Sequence, residues 1–352
     1  MKTIVLTGGG TAGHVTPNLA LIPTLQEEGW HIEYIGSKVG IEKELIERVE
    51  IPYHGISSGK LRRYKSIENL KDPFKVIKGL LEAYKLLRKI KPKVVFSKGG
   101  FVTVPVVLAA KALGIPVIIH ESDITPGLAN KIASKGAKVI CVNFPETLQY
   151  VGKKGVLTGT PIRQELFKGN KHRGRALCRF EDEKPVLLMM GGSLGSVKIN
   201  TCLRESLDEL GKVFNIVHIC GKGNLDEGLM NHDGYRQFDY VSSELTDLFA
   251  LADVMLSRAG ANALAEIIAL KIPTLLVPLS QKASRGDQIL NANSVEKQGL
   301  CKVLEEEALT KESLVQNIFE LYEERKKYKQ EMNANQALSG LERVMVEIRK
   351  CR

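Results

Sequence analysis

Three glycine-rich turns and one histidine carry most of the chemistry legible in this chain. The first turn, Gly8-Gly9-Gly10-Thr11-Ala12-Gly13-His14, follows the apolar run Thr3–Thr7. Glycines in such a place let backbone N–H groups close on an anion at a helix N-terminus. His14 ends the turn, and an imidazole that titrates near neutral pH suits a general base there; it equally suits a capping or packing role. A second turn, Gly191-Gly192-Ser193-Leu194-Gly195-Ser196, follows Val186–Met190 and adds the Ser193 hydroxyl. Together the two fit an extended phosphorylated ligand, although either alone reads as a tight turn. The third, Ser257-Arg258-Ala259-Gly260-Ala261-Asn262, aims the positive end of a helix dipole at a diphosphate. Farther along that helix, Glu266 can accept hydrogen bonds from vicinal sugar hydroxyls or simply stand in solvent. Gln288 and Asn291, three apart on one helix face, offer amides to sugar hydroxyls or to water. His120-Glu121-Ser122-Asp123 ends another apolar run, and its carboxylates Asp123 and Glu121 are the next candidates for a base after His14. Arg163, in the stretch Thr158–Arg163 where two domains should join, is placed to pair with phosphate. The chain contains no Asp-x-Asp, so neither a metal nor another cofactor is expected at the diphosphate. Charge on a leaving diphosphate would fall to helix ends and basic side chains.

Gly8, Gly10 and Gly13 also match G-x-G-x-x-G, with Glu33 twenty residues beyond Gly13, the spacing of a dinucleotide site. Two features count against a nicotinamide cofactor. Glu33 falls mid-strand, before Tyr34-Ile35, whereas a ribose ligand belongs at a strand end. The helix is also expected to start late, with Thr16 as N-cap and Pro17 at its first position.

These loops need a scaffold that opens them along one edge. Strand-length apolar runs at Thr3–Thr7, His31–Ile35, Val94–Ser97, Pro116–His120 and Lys138–Val142 alternate with helical stretches. A second series, Val186–Met190, Asn215–Cys220, Tyr235–Tyr240, Val254–Ser257, Thr274–Pro278 and Cys301–Leu304, begins after a polar stretch, Leu166–Lys184. The rhythm predicts an α/β fold of two doubly wound parallel-sheet domains with a cleft between them, and ligands beyond the strands' carboxyl ends.

Composition narrows the class. With 352 residues, 43% hydrophobic and 26% charged, the chain has material for about two globular domains and is not broadly disordered. No apolar run approaches a membrane span, and the N-terminus shows no secretory leader. Six scattered cysteines without paired spacing predict buried thiols in a reducing cytosol. The net charge of +10 is concentrated in Lys60–Lys93, where twelve basic residues face three acidic ones. Leu61, Tyr64 and Phe74 are interleaved with them, and Ile77, Leu80, Leu81, Tyr84 and Leu87 form a helical stripe. That segment reads as an ordinary amphipathic helix, as a surface for anionic lipid, or as both; nucleic acid is disfavoured because no nucleic-acid motif accompanies it.

Taken together, these stretches resemble the MurG family, the bacterial N-acetylglucosaminyltransferases of peptidoglycan synthesis. The resemblance runs through Gly8–Pro17, Ser97-Lys98-Gly99-Gly100-Phe101, His120-Glu121, Pro126–Lys131, Gly159–Arg163, Gly191–Ser193, Arg258–Glu266 and Asp287–Asn291. It implies a GT-B fold of two Rossmann-like domains. The first, an acceptor- and membrane-facing domain, would span 1–161 and the UDP-GlcNAc-binding domain 162–334, with a last helix at about 335–352 packing back on the first. It implies inverting transfer of GlcNAc from UDP-GlcNAc to the muramyl 4-hydroxyl of lipid I, giving lipid II, at the cytoplasmic side of the cell membrane. The implied partners are UDP-GlcNAc, lipid I and anionic inner-leaflet phospholipid, with no nucleic acid. Thr11, Ala12, Gly13, Arg163, Ser193 and Gln288 are then expected on the nucleotide sugar, and Asn291 near GlcNAc. Val241 is expected at uracil, and Ala261, Asn262, Ala263, Leu264, Ala265 and Glu266 around the nucleoside, with Glu266 on the ribose. Two positions depart from the family pattern: Ala12 replaces a loop glycine, and His-Glu-Ser-Asp stands where His-Glu-Gln-Asn is usual, so Asp123 replaces an asparagine. The alternatives are a UDP-GlcNAc 2-epimerase, a transferase for a related lipid-linked acceptor, and a silent sugar-nucleotide sensor.

Overall fold

The computed structural model describes residues 2–59, 68–192, 195–281, 284–334 and 340–351, with backbone alone for 68–73. Contacts divide the chain into two units, residues 1–163 with 337–352, and residues 164–336.

In the first unit the strands are β1 Lys2–Thr7, β2 Trp30–Ser37, β3 Tyr53–Ile56, β4 Val94–Ser97, β5 Val117–Glu121, β6 Val139–Val142 and β7 Gly155–Leu157. They form one parallel sheet in the order β3-β2-β1-β4-β5-β6-β7. A parallel strand is covered on both faces and so reads as continuously apolar. β1 shows this by burying Ile4 and Leu6 in one core, with Leu21 and Leu25, and Val5 in the other, with Leu87 and Val106. The strand order turns between β1 and β4, and the loops leaving these two strands therefore open side by side. The helix Gly340–Arg349 adds Val344, Met345 and Ile348 to the first core, and Arg349 donates to Glu28 through Nε and Nη2 at 2.8 and 2.6 Å.

The second unit repeats the plan with β8 Val186–Met190, β9 Asn215–Ile219, β10 Tyr235–Phe238, β11 Val254–Ser257, β12 Thr274–Leu276 and β13 Lys302–Val303. Its parallel sheet runs β10-β9-β8-β11-β12-β13, so the order turns between β8 and β11.

Several expectations are corrected. The polar stretch Leu166–Lys184 belongs to the second unit and carries regular structure. It contains the helix Lys171–Cys178, capped by the Asn170 side chain, and Arg173 pins it by two bonds of 2.8 Å to Asp247. The first helix, Thr16–Glu27, has Val15 and not Thr16 at its N-cap; Thr16 instead donates to the Ala12 carbonyl at 3.0 Å. The apolar stripe of the helix Glu68–Ile90 is also divided. Leu87 is buried and Leu80 and Tyr84 half-buried, but Ile77 and Leu81 stay 57% and 59% exposed. The helix approaches the sheet through Gly79, where a Cβ would lie 2.0 Å from the Ser57 carbonyl oxygen, and this rotates the stripe outward. Leu61 and Tyr64, with the basic residues of 60–67, lie outside the described residues. All six cysteines are free and buried.

Candidate active site

The first glycine turn is shaped by close backbone contacts that exclude side chains. A Cβ at Gly8 would meet the His14 carbonyl oxygen at 2.2 Å, and one at Gly100 would meet that of Gly9 at the same distance. The turns after β1 and β4 are thus locked together, with Gly9 N–H donating to the Gly99 carbonyl at 3.3 Å. Buried Glu42 braces them from the side: its carboxylate accepts from Gly10 N–H and Ser37 N–H, each at 3.2 Å, and from the Ser37 hydroxyl. These walls, with Thr11, His14 and Phe101, line a cavity of about 420 Å³.

His14 closes a single 3-10 turn, Ala12–His14. Its Nδ1 lies 3.0 Å from the Gly9 carbonyl, a contact that puts the proton on Nδ1 and leaves Nε2 as the acceptor. Burial, then the nearby charge of Lys98, lowers its pKa to about 4, against the Gly9 carbonyl and Glu42, which favour the proton. The imidazole is therefore neutral at physiological pH.

Glu121 and Asp123 lie around the same turn. A side chain at Gly99 would sit 3.5 Å from the His14 ring and 3.3 Å from Asn130 Oδ1, and Asn130 Nδ2 donates to Glu121 at 2.9 Å. Glu121 is held from several sides. It is buried, and it also accepts from Asp123 N–H at 3.1 Å and Gly127 N–H at 3.0 Å, so it shapes the 121–127 loop. Burial raises its pKa above the usual carboxylate range. Asp123 is half-exposed. Glu33 accepts from His31 at 2.9 Å and His54 at 2.6 Å, mid-strand in β2, which removes it as a ribose ligand.

Thr11 is exposed, and Ala12 and Gly13 are half-exposed on the 3-10 turn. Ala12 is not among the positive-φ residues, so its methyl group replaces a family glycine without backbone strain. Arg163 is half-buried at the last position of the first unit's long segment.

In the second unit Ser193 lies outside the described residues. The helix Ala261–Ala269 begins at Gly260 with no side-chain cap; Asn262, Ala263 and Glu266 are half-exposed, whereas Ala261, Leu264 and Ala265 are buried. Val241 is half-exposed just beyond β10. Two amides make bonds within the unit. Gln288 Oε1 accepts from Leu279 N–H at 3.0 Å, and Asn291 is fully buried with Nδ2 directed at the Ala259 carbonyl at 3.4 Å. Asn291 therefore fastens the third glycine turn from beneath. Two residues that carry the site escaped the sequence reading: Arg258, which ties three loops together, and Lys98, a buried lysine beside His14. Each lies in a stretch already singled out, but neither burial has a local signal.

Two parallel sheets, each with paired loops at its switch point, define the class: a nucleotide-sugar enzyme of the GT-B type. The chain matches the glycosyltransferase family 28 N-terminal domain over residues 4–142 and the corresponding C-terminal domain over 186–348. It is 58% identical over 349 residues to the UDP-N-acetylglucosamine–N-acetylmuramyl-(pentapeptide) pyrophosphoryl-undecaprenol N-acetylglucosamine transferase of Clostridium novyi, covering 99% of this chain and 98% of that one. The protein of the same name from Lachnospira eligens is 57% identical over 346 residues, 98% of each. Among solved structures, Acinetobacter baumannii MurG superposes with a TM-score of 0.79 at 27% identity, covering 99% of this chain and all of that one. UDP-GlcNAc 2-epimerase from Neisseria meningitidis shares the fold alone, with a TM-score of 0.70 at 14% identity and 99% of each chain covered. The chain belongs to glycosyltransferase family 28 and, within it, to the MurG family.

Proposed function

We propose that this protein transfers GlcNAc from UDP-GlcNAc to the muramyl 4-hydroxyl of undecaprenyl-diphosphate-linked MurNAc-pentapeptide, converting lipid I to lipid II with inversion. The observation that carries this reading is full-length identity near 58% to transferases of that name, in a chain with loops at both switch points. The first unit takes the acceptor and the second takes the nucleotide sugar. The acceptor O–H bond breaks as its oxygen forms a bond to C1 of GlcNAc, and the C1–oxygen bond to the diphosphate breaks, so that UDP leaves with that electron pair. His14 Nε2 receives the proton, with Asp123 as the second candidate. An imidazole of pKa about 4 is a weak base, and the negative charge of an arriving diphosphate raises it toward working pH. Arg163 and the start of the helix Ala261–Ala269 offset the charge that develops on UDP. Glu266 holds the ribose. Incubation with UDP-GlcNAc, with and without a lipid I analogue, tests the reading. UDP release only with acceptor is expected; epimerised sugar without acceptor would replace transfer by isomerisation.

The same reading places the first unit on the cytoplasmic leaflet. No described helix is long and apolar enough to cross a membrane. Phe74, Ile77 and Leu81 nevertheless stand 74%, 57% and 59% exposed on the helix Glu68–Ile90, among Lys75, Lys78 and Lys85. Glu82, an acid of the segment, is turned inward to Ser57 N–H at 2.5 Å and Lys38 at 3.1 Å. An apolar ridge set among lysines suits anionic headgroups. Replacing Phe74, Ile77 and Leu81 by serine should abolish salt-sensitive sedimentation with anionic vesicles and spare turnover of a soluble short-chain acceptor. Unchanged sedimentation would move the membrane contact elsewhere.

A further inference from the structure

Among the described residues, Lys98 alone of the lysines is buried, at 1% exposure. It follows β4 directly, and its backbone N–H donates to the Thr7 carbonyl at 2.9 Å, so the strand pairing fixes its place. Gly99 and Gly100 come next, with φ of +107° and +91°, and turn the chain against Gly9 beneath His14. From there Lys98 Nζ crosses to the loop leaving β5 and donates to Ser122 Oγ at 2.7 Å. That loop is held at its other points by Glu121, through Asp123 N–H and Gly127 N–H. One buried ammonium thus links the turn under the imidazole to the segment that carries Asp123.

Taking an ammonium out of water is costly unless opposite charge and hydrogen bonds offset it. Here the offset is incomplete. Burial lowers the Lys98 pKa to about 8 despite the fields of Glu121 and Asp123, so the group is still largely protonated at neutral pH. The groups facing His14 are Lys98 from the turn after β4, Glu42 from the helix Ile41–Glu47, and the Gly9 carbonyl and Thr11 hydroxyl from its own turn. Lys98 is the one cation among them.

We propose that Lys98 is a positioning residue for the transfer reaction, acting through His14 and the Ser122–Asp123 segment and not on the substrate. The proposal rests on the reading of His14 as the base and extends it. The ammonium adds to the burial that holds the imidazole neutral, with Nε2 free to take the hydroxyl proton. By its bond to Ser122 and its attraction for Asp123, it also fixes the start of the loop leaving β5.

The test uses the full-length protein with Lys98→Met, which keeps the side chain's length and removes its charge, and Lys98→Gln, which keeps a donor for Ser122. The His14 imidazole is titrated by NMR and assigned by its loss in His14→Gln. In both lysine variants the His14 pKa should rise by about one pH unit from its value near 4, as expected for removing a nearby charge in a partly screened site. The turnover number with a lipid I analogue should fall about tenfold or more while the UDP-GlcNAc dissociation constant stays within about twofold. A residue that only fills space would leave the titration unmoved. An unshifted His14 titration in two folded variants, or an unchanged turnover number, would overturn the proposal. The titration needs no turnover. Full activity in His14→Gln would therefore sink the base assignment by itself, whereas an unmoved titration sinks the role of Lys98.

Discussion

Arg258, leaving β11 in the second unit, donates through Nη1 to the Val277 and Pro278 carbonyls at 3.1 and 3.3 Å, and through Nη2 to Ser196 Oγ at 2.6 Å and to Glu306. Glu306 in turn accepts from Ser280 N–H at 3.1 Å. Burial alone would raise the Glu306 carboxyl, but these bonds carry it below the usual range. At the matching place in the first unit, the buried charges are held apart. Glu42 is spent on backbone N–H groups and Ser37, and Lys98 on one hydroxyl. A closed ion pair fixes loop geometry and exerts little field beyond itself, which suits a pocket that only has to bind. Separated charges leave a field, and a field can set the protonation state of a third group. The region proposed to perform the chemistry is the one whose charges are incompletely paired.

The sharpest way to break this contrast is His14→Ala. A positioned base is typically worth about 10²–10⁴-fold, so turnover at saturating substrates should fall by that factor with UDP-GlcNAc affinity retained. A loss below about tenfold would move proton transfer to Asp123.

Acid should act on both units alike, through histidines held neutral inside them. His120 is fully buried, with Nε2 at 2.8 Å from the Gly159 carbonyl, and burial, then Lys98, lowers its pKa to about 3. In the second unit His218 lies between Tyr235 Oη at 2.7 Å and Asn200 Oδ1 at 3.1 Å, and burial, then Arg204, lowers its pKa to about 3. Between the unfolded value of about 6.5 and those folded values, the unfolded chain binds protons that the folded chain refuses. Stability from these groups is therefore complete above about pH 6.5 and is lost as pH falls toward 3, by up to about 1.4 kcal/mol per pH unit for each histidine. Urea unfolding at pH 7 and pH 5 should show this loss, and His120→Gln or His218→Gln should reduce its slope. A slope unchanged in both variants would assign acid lability to other groups.

Glu266→Ala probes the binding side. Loss of charge-assisted hydrogen bonds to the ribose should weaken UDP-GlcNAc by about 1–3 kcal/mol and leave the His14 titration where it is. An unchanged dissociation constant in a folded variant would remove Glu266 from the ribose.

The contrast also explains what the sequence made legible. β8 and β11 stand where expected, at Val186–Met190 and Val254–Ser257, because a strand buried on both faces is an unbroken apolar run closed by small or polar residues. β3 and β7, Tyr53–Ile56 and Gly155–Leu157, were not anticipated: they are short edge strands carrying His54, Gly55 and Gly155, with little apolar signal. The helix Lys171–Cys178 gives little local signal, because its anchor, Asp247, lies more than seventy residues away. At the site, glycine turns announced themselves through composition, but the fate of a single polar side chain did not. Asn291 and Glu121 are buried and bonded to neighbouring backbone, and Lys98, which by type belongs in solvent, is inside as well. Local sequence records which chain directions are allowed; it does not record which polar atom a neighbouring loop will claim.

The smallest effect belongs to Ala12→Gly, and it asks whether the first turn works through backbone shape or through its buried charges. Ala12 occupies the start of the 3-10 turn and is not among the positive-φ residues, so glycine would relieve no strain there. It would add freedom to the unfolded chain, at about 0.5–1 kcal/mol of stability, as for glycine in a helical position. Glu42, Lys98 and the Gly9 carbonyl, which set the state of His14, are untouched by the change. Turnover should therefore remain within about twofold of the parent, with the loss confined to the unfolding midpoint. A large gain in turnover would mean that the alanine methyl group obstructs the ligand, and that the geometry of this turn, more than its electrostatics, governs the first unit.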